Sequence, residues 1–110
     1  MSNAFAAMNG LYLEDLKPGM SAMFGKTVTE ADIMAFAGVS GDTNPIHLHD
    51  GFARTTRFGQ RIAHGMLGSS FISTVIGTKL PGPGAVYISQ SLAFMAPVLI
   101  GETITAVATI

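Results

Sequence analysis

The chain has 110 residues, of which 48% are apolar and 12% charged, and its net charge at pH 7 is −1. This length suits one domain of about 100–150 residues, and the apolar content argues against intrinsic disorder. The balanced charge offers no basic field for nucleic acid or an anionic membrane surface, and no apolar run approaches the ~20 residues of a membrane-crossing helix, so we expect neither partner.

The first predicted elements are a strand and a helix. The pattern of residues 23–28 is typical of a short strand. Thr29 then stands where a helix cap is expected, with Asp32 three residues later, and apolar residues at spacings of three and four continue the helix until Gly38, which can end it. The polar segment 40–49 follows and is predicted to be an ordered, turn-rich loop.

The second half of the chain predicts helices followed by strands. A brief helix is expected over residues 51–55 and a longer one over 65–76, closed by Gly77. The longer helix has no charged face, so we expect it to be buried. Alternation predicts strands over 86–94 and 103–110. The result is an α+β domain whose sheet curls around the helix, completed either by another subunit or by strands missing from the C-terminal end of this sequence.

Candidate chemistry concentrates between residues 42 and 64, which hold all three histidines of the chain. Asp42 and His47 are separated by a turn in which Pro45 keeps Asn44 out of helical geometry and the Asn44 side chain can bond the local backbone. Such a turn can direct a carboxylate and an imidazole at one water, which is an arrangement for general acid–base catalysis. The alternative is structural, with Asp42 bonded within the turn and His47 a satisfied, half-buried histidine.

His64 and Gly65 open the long helix, where free N–H groups and the helix dipole favour an oxygen that gains negative charge. Gly65 lacks a side chain that would block a close approach, although it also eases a tight entry into the helix. Ser69 and Ser73 lie one and two turns further on. Either can line a pocket or bond back to a carbonyl of the preceding turn.

Other chemistries fit less well. His47 and His49, with Asp42 or His64, offer zinc-binding groups, but their spacing matches no metal motif, and we expect no metal. Without cysteine there is no thiol nucleophile, and no nucleophile elbow surrounds any serine. Gly82 and Gly84 stand beside prolines and form no phosphate-binding loop.

The sequence resembles the MaoC-like (R)-specific enoyl-CoA hydratases, and the resemblance covers about residues 11–110. Its strongest part is the Asp-x-Asn-Pro-x-His pattern that runs from Asp42 to His47. The residues that carry it are Phe36-Ala37-Gly38-Val39-Ser40-Gly41-Asp42-Thr43-Asn44-Pro45-Ile46-His47, Phe58, Ile62-Ala63-His64-Gly65-Met66-Leu67, Leu80-Pro81-Gly82, Gln90-Ser91-Leu92, Phe94 and Pro97. One departure is His49-Asp50, which stands where relatives commonly carry Asp-Pro.

The resemblance implies a hot dog fold, in which an antiparallel sheet wraps a long central helix, as a single domain over residues 1–110 that forms a homodimer. It implies reversible hydration of trans-2-enoyl-CoA to (R)-3-hydroxyacyl-CoA without a metal or separate cofactor, since coenzyme A is part of the substrate. Asp42 and His47 would be the catalytic pair, and the Gly65 N–H would bind the thioester oxygen. Ser73, Asn44 and His64 would lie near the substrate pocket.

Two alternative functions remain on the same fold, namely a thioesterase and a non-catalytic acyl-CoA-binding subunit. The three expected roles, which are water activation, protonation of the α-carbon and stabilisation of an enolate-like oxygen, match Asp42, His47 and Gly65 and favour the hydratase. The lack of cysteine and of a secretory signal pattern fits the cytoplasm.

Overall fold

The computed structural model describes residues 4–110. Its helices and strands are, in chain order, β1 (Ser21–Thr27), α1 (Glu30–Ser40), α2 (Pro45–Leu48), α3 (Asp50–Arg54), α4 (Gly65–Thr78) and β2 (Thr103–Thr109), preceded by the 3-10 turns Ala6–Met8 and Leu13–Asp15. β1 and β2 pair in a two-stranded sheet. Backbone bonds from Ile110 to Met20 and from Val28 to Glu102 make the pair antiparallel. None of the described helices is long and apolar enough to cross a bilayer.

The described residues form two compact units. One comprises residues 4–24, Ser70–Leu92 and Thr105–Ile110, and the other comprises Gly25–Ser69 and Ala93–Ile104. The second unit contains every predicted site residue except Ser73. Its apolar core consists of Val28, Ile33, Ala37, Ile46, Ala53, Ala63 and Leu67, and the buried apolar residues of the first are Phe71, Val75 and Leu80.

Both helix ends predicted from glycine were wrong. α1 continues past Gly38 to Ser40 and ends at Gly41, whose φ of 77° is the left-handed conformation that favours glycine. α4 likewise continues past Gly77 to Thr78. In each case the last residue bonds the carbonyl one turn earlier, Ser40 Oγ to Phe36 at 2.6 Å and Thr78 Oγ1 to Thr74 at 2.6 Å. Such a bond to the carbonyl four residues earlier is a common local interaction of Ser and Thr side chains in helices.

The predicted strand over residues 86–94 was also wrong. The segment is not part of the two-stranded sheet, because within residues 4–110 it has no neighbouring strand to pair with. The prediction of a fully buried long helix was too strong as well. One side of α4, with Leu67, Phe71 and Val75, is buried, whereas the Met66 side chain is 51% exposed. The loop predicted over 40–49 contains α2, and the brief helix predicted over 51–55 begins one residue earlier.

The start of α1 is fixed by a reciprocal cap. Thr29 Oγ1 accepts from the Asp32 N–H at 3.2 Å, and Asp32 Oδ2 accepts from the Thr29 N–H at 2.9 Å. Lys26 Nζ lies 2.5 Å from the same carboxylate oxygen. The hydrogen bond from Lys26, followed by that from the Thr29 backbone, lowers the pKa of Asp32 below its usual value of 3.8.

We expect this cap to make the unfolding free energy depend on acid pH. A carboxyl whose folded pKa is lowered contributes stability above its unfolded pKa, and that contribution is lost as pH falls through the folded pKa, which here lies below 3.8. Asp32→Asn should therefore lower the free energy of unfolding by up to ~1 kcal/mol at pH 7. The difference from the parent protein should shrink below pH 3.8 in urea titrations. A difference that is constant down to pH 2 would contradict the assignment.

Candidate active site

The loop after α1 is shaped by its own side chains. Gly41 turns the chain out of α1, and Asp42 Oδ1 then accepts the Asn44 N–H at 3.2 Å. Asn44, at ψ 126°, caps α2 by accepting the Ile46 N–H at 3.0 Å, with Pro45 as the first helical residue. The turn predicted around Asn44 and Pro45 is confirmed. It leaves Asp42 exposed, with its second carboxylate oxygen available to another donor.

His47 projects from α2 and is 8% exposed. Its Nδ1 lies 2.7 Å from the Ile62 carbonyl oxygen. Because a carbonyl oxygen can only accept, Nδ1 carries the proton in the neutral ring, and Nε2 carries the lone pair. His47 thus presents Nε2 as an acceptor for a proton.

His64 directly precedes α4 and is 3% exposed. Its Nε2 lies 2.9 Å from the Asp42 carbonyl oxygen, which assigns the proton to Nε2 by the same argument. The ring stacks on that of His47, with centroids 3.9 Å apart and planes inclined by 28°. Phe36 also contacts the His64 ring, at a centroid distance of 4.8 Å and with planes inclined by 53°. His64 therefore contacts Asp42 and His47 together.

Arg61 is a further residue of this region that the sequence did not single out. Its Nε–H donates to the His47 carbonyl at 2.6 Å, and its two terminal nitrogens bind the Glu30 carboxylate at 2.8 and 2.9 Å. A two-pronged Arg–carboxylate pair has a fixed geometry. It ties the backbone of α2 to the start of α1. The available signal was weak, because Arg61 is one of three arginines between residues 54 and 61.

Gly65 is the first residue of α4. In residues 4–110 its N–H has no acceptor, as expected for the first turn of a helix, whereas the Leu67 N–H already bonds His64. Phe94 packs closely above it, since a Cβ at this position would lie 2.8 Å from Phe94 Cε1. Gly65 thus offers a free donor beneath an aromatic ring.

The remaining candidates have different surroundings. Ser69 Oγ donates to the Gly65 carbonyl at 3.2 Å, which is the structural alternative for that residue. Ser73 is exposed and lies in the other compact unit, so its role near a pocket stays a prediction. His49, at the departure from the family pattern, caps α3 through Nδ1, which accepts the Phe52 N–H at 2.9 Å.

Asp42, His47 and His64 each place one side-chain donor atom within 4.8 Å of the others. Carboxylate and imidazole are zinc ligands, which bind at about 2.0–2.1 Å with the metal in the ring plane. Here the two histidine rings are stacked, so their lone pairs lie in nearly parallel planes and do not converge on one ion. The same proximity suits proton transfer, because Asp42 keeps a second carboxylate oxygen and His47 keeps the Nε2 lone pair as acceptors.

The chain is similar to known hydratases and dehydratases. The chain is 59% identical over 99 residues to an (R)-specific enoyl-CoA hydratase of Rhodospirillum rubrum, covering 90% of this chain and 69% of that one. It is 53% identical to a 3-hydroxybutyryl-CoA dehydratase of Methylorubrum extorquens, covering 86% and 60%. The chain thus spans between three fifths and about two thirds of these relatives.

The fold matches that of a solved (R)-hydratase from A. caviae, with a TM-score of 0.84 and 43% identity over 87% of this chain and 73% of that one. An R-hydratase from Pseudomonas aeruginosa matches with a TM-score of 0.80 and 45% identity over 86% and 61%. The fold is the expected hot dog fold. The sequence also matches the MaoC-like domain over residues 15–110. The chain therefore belongs to the MaoC-like domain family.

Proposed function

We propose that this chain catalyses the reversible hydration of trans-2-enoyl-CoA to (R)-3-hydroxyacyl-CoA. The observation that carries the proposal is the proximity of Asp42 and His47, which place a carboxylate oxygen and a ring nitrogen within 4.8 Å of each other beside His64, the residue before α4. Water addition to an enoyl thioester needs such acceptors and a donor for the thioester oxygen. The names of the similar proteins from R. rubrum and A. caviae support the same reaction.

The hydrogen-bond pattern supports one route for the proton. His47 enters the reaction with its proton on Nδ1, held by Ile62, and Asp42 enters as a carboxylate. Neither group then has a spare proton for the substrate. The proton that the pair takes from water is therefore the one returned to C2, while the hydroxide oxygen bonds to C3. Water is consumed and no other reactant is required.

The thioester oxygen gains negative charge as water adds. The free Gly65 N–H at the start of α4, where the helix dipole is positive, is suited to bind that oxygen. Removing one such donor typically costs a factor of about 10²–10³ in turnover. Gly65 completes the set of roles that the reaction needs.

Crotonyl-CoA tests the proposal directly. The purified protein should remove absorbance of the enoyl thioester, and chiral chromatography of the product should give the (R)-3-hydroxy isomer. Release of free thiol without loss of the double bond would identify a thioesterase instead. Binding of crotonyl-CoA without turnover would identify an acyl-CoA-binding subunit.

We propose that the protein works as a homodimer in the cytoplasm. Val86, Ile88 and Met95 are 84%, 96% and 90% exposed, and large apolar side chains left in water favour a covering surface. The low charge content supports the same inference. Sedimentation equilibrium at micromolar concentration should give twice the chain mass, and a stable monomer would contradict it.

We propose that catalysis needs no metal and no cofactor beyond the coenzyme A of the substrate. The stacking of His47 on His64 supports this, because it turns their lone pairs away from a common ion. Dialysis against EDTA should leave the rate of crotonyl-CoA hydration unchanged. Loss of activity that one divalent metal restores would overturn the prediction.

A further inference from the structure

We propose that His64 is a positioning residue that holds both members of the catalytic pair, binding the backbone of Asp42 through Nε2–H and the ring of His47 by stacking. The inference rests on the hydratase function proposed above. Asp42 and His47 lie five residues apart on an exposed loop and a helix of one turn. Such local structure alone does not fix two side chains with the precision that proton transfer needs, since a displacement of about 1 Å can cost 10²-fold in rate.

His64, which is distant from Asp42 in sequence, makes contacts that can position the pair precisely. Its Nε2–H reaches the Asp42 carbonyl at 2.9 Å, across 22 residues of sequence. Its ring centroid lies 3.9 Å from that of His47 and 4.8 Å from that of Phe36. Because His64 directly precedes α4 and its carbonyl already accepts the Leu67 N–H at 3.0 Å, it links the loop to the helix start that carries the Gly65 donor.

The second ring nitrogen of His64 indicates that this histidine is not present to stabilise the folded state. Within residues 4–110, His64 Nδ1 is the buried side-chain nitrogen or oxygen that has no hydrogen-bond partner. A buried acceptor without a donor destabilises the folded state. A phenylalanine would stack in the same place without that cost. Phenylalanine has no N–H, however, and cannot donate a hydrogen bond to the Asp42 carbonyl.

Three variants separate the two contacts. His64→Phe keeps a flat ring against His47 and loses the donor, His64→Gln keeps an N–H for the Asp42 carbonyl and loses the ring, and His64→Ala loses both. We expect kcat for crotonyl-CoA to fall about tenfold in each of the first two and about 10²-fold in the third. KM should change less than threefold, because His64 is only 3% exposed. The unfolding midpoint of His64→Phe should be unchanged or higher.

Nitrogen-15 NMR of histidine-labelled protein tests the geometry without any activity. Long-range proton–nitrogen correlations should show opposite tautomers, with the proton on Nε2 in His64 and on Nδ1 in His47. An Nδ1–H tautomer in His64 would overturn the proposal whatever the activity. Parent-like kcat in all three variants would also overturn it. A parent protein with these tautomers and no hydration would instead refute the proposed function and leave the contact established.

Discussion

Asp42→Asn and His47→Gln should each lower turnover of crotonyl-CoA by about 10² or more. Both substitutions keep side-chain size and much of the local bonding, because the Asn oxygen can still accept the Asn44 N–H and the Gln amide can still reach the Ile62 carbonyl. What they remove is the ability to take a proton. KM and the unfolding midpoint should change little. Initial rates at several substrate concentrations check the prediction.

The chain provides matched controls for both substitutions. Asp50→Asn and His49→Gln change the same residue types a few positions away, in exposed residues that lie outside the pair. Their turnover should stay within about threefold of the parent protein, since His49 caps α3 and the exposed Asp50 carboxylate makes only a long contact of 3.9 Å with Arg61 Nη1. Near-normal hydration in Asp42→Asn or His47→Gln would remove this loop from the active site and favour the acyl-CoA-binding alternative.

The double variant tests whether the pair acts on one water. If Asp42 and His47 handle the same proton, removing the second acceptor after the first costs little more. The combined loss should then be far smaller than the product of the two single losses. Independent, multiplicative losses would show that the two groups act on different protons.

Local chemistry made much of the candidate site predictable. Asn44 and Pro45 define a turn through their own backbone and side-chain preferences, so the sequence was sufficient to place Asp42 and His47 together. The Thr29 cap was predictable for the same reason. The contacts of His64 with Asp42, and of Arg61 with Glu30, join residues 22 and 31 positions apart. These long-range contacts depend on tertiary folding and cannot be predicted from local sequence patterns.

The wrong predictions of secondary structure have the same cause, since they too depend on interactions beyond the local sequence. Gly38 and Gly41 are both able to end a helix, and the structure uses Gly41, which adopts the left-handed conformation and donates its N–H to the Ala37 carbonyl. The alternation over residues 86–94 is that of a strand, but a strand exists only where another one pairs with it. A hydrophobic pattern in the sequence predicts which side chains prefer burial. It does not predict which segment of the chain packs against them.

Gly65→Pro should lower kcat for crotonyl-CoA by about 10²–10³, the usual effect of losing one oxyanion donor. Proline is tolerated at the first position of a helix, where its ring deletes only an N–H that has no acceptor within the helix. α4 should therefore still form, as far-UV circular dichroism will show.

Gly65→Ala is the matched control for this substitution. Both variants add a Cβ that must displace the Phe94 ring from a distance of 2.8 Å, but only proline removes the N–H. Alanine should thus reveal the cost of crowding, and the further loss with proline should reveal the contribution of the donor. Because proline also restricts the residue before it, the His64 tautomer must be checked in the same sample. Equal kcat in the two variants, with His64 unchanged, would show that the Gly65 N–H does not bind the thioester oxygen.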